Sequence, residues 1–254
     1  MTQGERRHIW HERLRLLKPG TVYALSKKIV RRRRKEYRRL YKMSLRKWQI
    51  YHQKNIAFEK CHWMGVSAIK NPLDAWIYQE ILFEVKPDFI VEIGSAEGGT
   101  TLYLAHLLDL LDKGLVISVD IDHSNFKPRH DRIITVTGDS AAPETVSEVF
   151  DHCRDGVVLV IHDGDHNRDQ VLKNLNIYSA LVSKGSYFIV EDGVVDLFRP
   201  GGSFGIYPHG GPLEAVEEFL KSSNQFVADR ERERYLLTCN PHGFLKKSQL
   251  LQEG

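Results

Sequence analysis

Short apolar runs alternate with longer amphipathic stretches along this chain. Phe89–Ile93, Leu115–Val119, Ile133–Val136, Val157–Ile161 and Tyr187–Val190 are apolar at nearly every position and only four or five residues long. Runs of this kind predict strands covered on both faces, as in a parallel sheet. Thr100–Leu111, Pro143–Phe150 and Gln170–Leu181 lie between them and read as helices. Strand and helix in alternation predict an α/β, doubly wound, mainly parallel sheet. Ahead of the first strand, Lys70-Asn71-Pro72 forms a turn. Leu73, Trp76, Ile77, Ile81, Leu82 and Val85 then recur at helical spacing, predicting a helix that buries that face. Gln225–Asp229 and Arg234–Thr238 flank the charged Arg230-Glu231-Arg232-Glu233 and predict a closing antiparallel C-terminal hairpin. From Thr21 to Lys60 there is neither Pro nor Gly, and Leu25, Ile29, Leu40, Leu45, Trp48 and Tyr51 interrupt dense Lys and Arg. One or two helices are expected in this N-terminal basic helical arm, with Arg31–Lys35 on a solvated face and no clean apolar stripe.

Composition adds a division that the pattern alone does not show. With 254 residues, 42% hydrophobic and 27% charged, the chain fits a soluble globular protein and excludes collagen-like, disulfide-scaffold and wholly disordered classes. The net charge of +3 conceals two opposed halves. Residues 1–60 hold 19 Lys and Arg against 4 Asp and Glu, or +15; the remainder holds 17 against 29, or −12. The three cysteines, Cys61, Cys153 and Cys239, have no metal-ligand spacing and read as reduced structural thiols. No signal-peptide run and no stretch near the ~20 apolar residues of a membrane span is found. A cytoplasmic, non-spanning protein is expected, with peripheral membrane contact left open.

The first strand runs into Glu92-Ile93-Gly94-Ser95-Ala96-Glu97-Gly98-Gly99, a glycine loop that opens a helix. Such loops bring a ligand close to backbone at the carboxyl edge of a doubly wound sheet. Ala96 breaks the dinucleotide G-x-G-x-x-G pattern, and acids at Glu92 and Glu97 disfavour a pyrophosphate. They suit a cationic ligand such as S-adenosylmethionine, with Glu92, Gly94, Ser95 and Gly98 as cofactor-binding candidates. Asp120, at the end of the second strand, is placed to accept from a ribose diol. Asp139 and Ser140, in the turn after the third, suit an adenine edge. Taken singly, each acid is equally explained as a cap or turn former; three at successive strand ends favour a nucleoside cofactor.

The fourth strand runs into His162-Asp163-Gly164-Asp165-His166 and the fifth into Glu191-Asp192-Gly193. If these strands are neighbours, four carboxylates converge, which is costly unless a cation neutralises them. Hard oxygen donors select Mg²⁺ or Ca²⁺, and Mg²⁺ would acidify a substrate hydroxyl and hold it in line with a methyl donor. Asp163, Glu191 and Asp192 are the candidate metal ligands, with Asp165 as ligand or supporting group. His166 is the candidate general base, since imidazole titrates nearest neutral pH. A cap and turn cluster at the start of the next helix is the competing explanation. His162 reads as a hydrogen-bonded structural histidine.

Together, Lys70-Asn71-Pro72-Leu73-Asp74-Ala75-Trp76-Ile77-Tyr78-Gln79-Glu80, Lys86-Pro87-Asp88, Glu92-Ile93-Gly94-Ser95, Gly98-Gly99-Thr100, Asp163-Gly164-Asp165-His166 and Glu191-Asp192-Gly193 resemble the cephalosporin hydroxylase / rhamnosyl O-methyltransferase family of class I methyltransferases. The resemblance runs from about Trp63 to Leu245. It implies a Rossmann-like methyltransferase domain over 63–254 with 1–62 as the arm, and S-adenosylmethionine at the Glu92–Gly99 loop. It further implies a divalent metal on an acid of the Asp163–His166 segment together with Glu191 and Asp192, and methylation of a hydroxyl, often of a sugar. His166 takes the family's base position, with Asp163 beside it in the catalytic centre. Pro208-His209-Gly210-Gly211-Pro212 is expected to form a loop over the site.

The arm lies outside the resemblance. Its charge, interleaved with Tyr23, Tyr37, Tyr41, Trp48 and Tyr51, suits an anionic membrane surface or the acidic body of a second subunit in a homo-oligomer, with nucleic acid less favoured. The competing functions are a nucleic-acid or membrane-binding protein with a degenerate methyltransferase scaffold, and an RNA methyltransferase. The intact Glu92, Gly94, Asp120 and carboxylate cluster speak against degeneracy.

Overall fold

The computed structural model describes residues 19–198 and 210–248. The chain divides into two compact units, Met1–Gln49 and Ile50–Gly254. In the first, α1 spans Pro19–Leu40 and α2 starts at Leu45. Every residue from Lys27 to Arg39 is exposed, as expected for Arg31–Lys35.

The second unit begins with a π turn, Gln53–Ala57, and one helical turn, Phe58–Lys60. A small hairpin of β1 (His62–Trp63) and β2 (Val66–Ser67) follows. The next helix, α3 (Pro72–Val85), starts where the Asn71 side chain accepts from Leu73 N at 3.1 Å and Pro72 supplies a preset φ; it ends at left-handed Lys86. Its buried face differs from the expected one. Trp76 is 59% exposed, whereas Asp74 and Tyr78 are buried beside Ile77, Ile81 and Leu82. The two polar side chains are drawn inward by partners from distant parts of the chain: Cys239 N donates to Asp74 at 2.8 Å, and Tyr78 donates to Glu191 at 2.6 Å.

The sheet holds β3 (Phe89–Ile93), β4 (Leu115–Asp120), β5 (Ile133–Thr137), β6 (Val158–His162), β7 (Tyr187–Val190), β8 (Phe226–Ala228) and β9 (Phe244–Lys247). Their order is β5-β4-β3-β6-β7-β9-β8, with β3 to β7 parallel and β9 antiparallel to both neighbours. Helices α4 (Gly99–Leu111), α5 (Pro143–His152), α6 (Arg168–Tyr178), the short α7 (Val194–Leu197) and α8 (Pro212–Ser222) complete the described body. Period-two alternation sends Val91 and Ile93 into one core layer and Ile90 into the other, among Ile77, Leu104 and Leu108. Each such buried side chain contributes roughly 1.5–3 kcal/mol, so both faces of β3 are anchored.

The C-terminal hairpin forms, but its second strand is Phe244–Lys247 and not Arg234–Thr238. Arg230–Glu233 makes a 3₁₀ turn whose Arg232, 10% exposed at its side chain, is tied to Glu84, Asp229 and Tyr187. A side chain anchored to α3 and β7 cannot sit at a solvated hairpin tip, so the chain turns again before pairing. Pro208 and His209 lie outside the described residues; Gly210 and Gly211 lead directly into α8.

The chain moves outward from β3 through β4 to β5, then returns to β6 on the other side of β3. The gap between the carboxyl ends of β3 and β6 is therefore the topological switch point, where doubly wound sheets leave a crevice.

Candidate active site

The switch point is closed at its floor by backbone contact. Asp163 N donates to Ile93 O at 2.7 Å, and a Cβ on Gly94 would lie 2.4 Å from Asp163 O. With φ at +87°, Gly94 combines a left-handed conformation with an approach no side chain fits. Gly98, φ +85°, does the same at the start of α4, against Pro128 and Phe126.

Four of the loop amides are spent internally. Ser95 N and Ala96 N donate to Asp120 Oδ2 at 2.8 and 3.0 Å, Gly94 N to Val119 O, and Gly98 N to Ser95 O. With these four amides already engaged, and Asp120 beside them, this part of the loop is poorly suited to a pyrophosphate, in keeping with a cationic or neutral ligand. Burial pushes the Asp120 carboxyl up, but the amides of Ser95, Ala96 and Asp122 outweigh it and hold the group below its ordinary value. It stays ionised and half-buried.

Glu92 lies one layer beneath. It is wholly buried, accepts a hydrogen bond from Thr101 through Oε2, and has no hydrogen-bond partner for Oε1. Burial pushes its carboxyl up to about 8. Asp139 and Ser140 are turned to local work. Asp139 accepts from Ala141 N, and the Ser140 hydroxyl pairs with Asn174. Exposed Glu97 pairs with Lys127.

A recess of about 140 Å³ opens at the switch point, lined in part by Ala68, Gly94, Ser95, Asp163, His166 and Asp192. Asp163, His166 and Asp192 bring one ligand atom each to within 4.8 Å of the others. Groups this close could share one divalent cation. His166 Nε2 lies 3.4 Å from Asp192 Oδ2. Burial raises the carboxyls of Asp163, Glu191 and Asp192 above their ordinary range. Asp165 is not brought into this group; exposed at the surface, it accepts from Asn167 N in the turn before α6.

Two further members stand out from the geometry and not from sequence reasoning. Lys70 Nζ lies 3.1 Å from Asp163 and is also paired with Glu191. Its side chain is 5% exposed. Burial alone would lower its pKa, but the two carboxylates outweigh that and hold it charged. Tyr78 donates to the same Glu191 oxygen. The available signal was Asp74 and Tyr78, polar groups four residues apart on the otherwise apolar face of α3; Lys70, ahead of the Asn71 cap, carried no such spacing.

His162, at the end of β6, is fully buried and structural, yet neither ring nitrogen has a hydrogen-bond partner. The hydrogen bond expected of it is not formed. Burial and the nearby His166 push it down to about 3, so it is neutral.

A second His/Asp group, His106, Asp109 and His130, sits between α4 and the approach to β5. Its lone pairs are committed. Trp63 Nε1 donates to His106 Nδ1, Arg132 N to His130 Nδ1, and the Arg132 guanidinium holds Asp109 at 2.7 Å.

Comparison with known proteins points one way. The family model described as Rhamnosyl O-methyltransferase/CmcI matches residues 55–248. The rhamnosyl O-methyltransferase of Mycobacterium leprae (strain TN) is 30% identical over 201 residues, 75% of this chain and 85% of that protein. That of Mycobacterium tuberculosis (strain ATCC 25618 / H37Rv) is 31% identical over 200 residues, 75% and 80% respectively. A solved structure described as "cmcI-D160 Mg-SAM" shares the fold at a TM-score of 0.58 and 23% identity, over 75% of this chain and 77% of that one.

Proposed function

The chain belongs to the Rhamnosyl O-methyltransferase/CmcI family, and from that membership we propose that it is an S-adenosylmethionine- and Mg²⁺-dependent O-methyltransferase acting on a hydroxyl of a sugar, glycolipid or glycosylated small molecule. The observation that carries this reading is the meeting of Asp163, Asp192 and His166 at the switch point beside the Gly94 loop.

The residues fit both groups. Carboxylate oxygens are the donors a hard divalent cation takes, and Asp163, Glu191 and Asp192 would hold it. The positive-φ glycine turn, with the amides of Gly94, Ser95, Ala96 and Gly98 already engaged, suits a cofactor carrying a sulfonium; Gly94, Ser95 and Gly98 would form the cradle and Asp120 would accept from a diol. Glu92, beneath the loop, would act through the loop's position. Asp139 and Ser140 would shape the adenine side, and Asp165 would hold the turn that carries His166. When bound, the two groups supply a transferable methyl and a Lewis acid that acidifies a hydroxyl.

The chain's own work is orientation and proton handling. His166 would take the proton of the acceptor hydroxyl at a ring nitrogen as that hydroxyl is methylated. Asp192, 3.4 Å from Nε2, stabilises the imidazolium that results. Lys70 keeps Asp163 and Glu191 paired until a divalent ion competes for them. The curated relatives are named for a rhamnosyl acceptor, so rhamnose-bearing glycosides are the first to try. Transfer of labelled methyl from S-adenosylmethionine to such glycosides, with and without a chelator, tests the reading. Unchanged transfer under chelation would remove the metal; no cofactor binding by calorimetry would remove the activity.

A further inference from the structure

The basic arm has no counterpart in the matched region, which starts at residue 55. Between Lys27 and Arg39 it carries nine basic residues and one acid, Glu36, and all are exposed. With α1 continuous through this stretch, successive residues are offset by about 100°, and eight of the nine basic residues fall within an arc of about 160°. Ile29, Val30, Tyr37 and Leu40 fall on the opposite side, within about 100°. A continuous helix thus gathers an apolar side, interrupted by Arg33, opposite the basic one.

Ile29, Val30 and Tyr37 are 56%, 50% and 60% exposed. An apolar face left in water beside a dense cationic face is the signature of a helix that lies in a lipid interface. From this we propose that α1 is a membrane-surface anchor that binds anionic lipid headgroups through its basic face and seats Ile29, Val30 and Tyr37 at the acyl boundary. A nucleic acid would use the charge but has no call on the apolar side. Arg33 is the ninth basic residue and falls within the apolar arc; its long stem lies along the apolar surface while the guanidinium reaches the headgroups. No helix among the described residues is long and apolar enough to cross a membrane, so contact is with one leaflet.

The test is co-sedimentation of the full-length protein with vesicles of phosphatidylcholine alone and with 3:1 phosphatidylcholine:phosphatidylserine (about 25% anionic). Binding at least tenfold stronger to the anionic vesicles is expected, falling roughly fivefold per charge in Arg31→Gln, Arg34→Gln and Arg38→Gln. Ile29→Asp with Tyr37→Asp should cut binding tenfold or more while leaving S-adenosylmethionine affinity unchanged, which separates this proposal from the catalytic one. Any of these results overturns it: no preference for anionic vesicles, binding indifferent to the apolar-face variant, or tighter salt-sensitive binding to homopolymeric RNA than to vesicles. A concentration-dependent dimer abolished by the same variant would instead assign the face to a second copy and overturn it too.

Discussion

The Lys70 ammonium lies 3.1 Å from the Asp163 carboxylate, from 93 residues away in the chain, and places a fixed positive charge inside the acidic cluster. Because Glu191 shares that ammonium, the described site is partly neutralised from within, one positive charge standing against the three carboxyl groups of Asp163, Glu191 and Asp192. Lys70→Met should therefore have two opposite effects. Removing one partner of a buried ion network costs on the order of 3–5 kcal/mol, read as a lowered denaturation midpoint without Mg²⁺. With the competing cation gone, Mg²⁺ affinity measured by calorimetry should rise, by roughly tenfold or more. Weaker Mg²⁺ binding by a folded Lys70→Met protein would show that Lys70 orients the ligands and does not compete.

Asp163→Asn keeps size and shape but removes a charge from the proposed ligand set. Methyl transfer should fall at least a hundredfold and lose its response to chelator, with S-adenosylmethionine binding retained. His166→Gln should lower kcat by roughly 10²–10⁴-fold and leave Mg²⁺ affinity near that of the parent. Should the His166 variant keep full kcat, the proton goes elsewhere.

Glu92 predicts a pH dependence of stability. Its folded carboxyl is pushed from the ordinary 4.5 to about 8 by burial. The folded state then keeps a proton the unfolded state releases, so stability falls as pH rises from about 4.5 to 8 and levels off above. Glu92→Gln removes that proton linkage. Its stability relative to the parent should be nearly unchanged at pH 4.5 and improve toward pH 8, by at most about 5 kcal/mol. Urea denaturation at several pH values reads it out; a pH-independent difference refutes the assignment.

Gly94→Ala tests the floor of the switch point. Its new Cβ would meet Asp163 O at 2.4 Å in a left-handed conformation. The backbone strain alone costs about 1–3 kcal/mol, and separating β3 from β6 should weaken cofactor binding with it. Gly65→Ala has a similar φ of +87° but nothing within 4 Å, so it should show the strain without the binding loss.

Much of the architecture is local and was legible in the chain. Apolar runs of four or five residues can be satisfied only between two covered faces, which is why β3 to β7 sit where the pattern puts them. Gly94 was legible as well, since a strand meeting a helix through a tight turn calls for φ above zero. The Asp163 and Glu191 segments could be read as strand ends because each follows a fully apolar run. Which side each acid faces could not: Asp163 joins the recess, while Asp165, two residues on and in a turn, is held outward by Asn167 N. The closing strand was misplaced because Arg232 has partners 148 and 45 residues away.

By itself, then, the sequence determined the alternating fold, the glycine turn and the family, since these depend on spacing and residue type along the chain. Only the tertiary structure decided that Lys70 and Tyr78 meet Glu191 and that Asp120 caps the loop amides. Charge compensation and burial are properties of neighbours in space: the ammonium that offsets this cluster comes from Lys70 and the phenol that hydrogen-bonds it from Tyr78, about a hundred positions earlier in the chain.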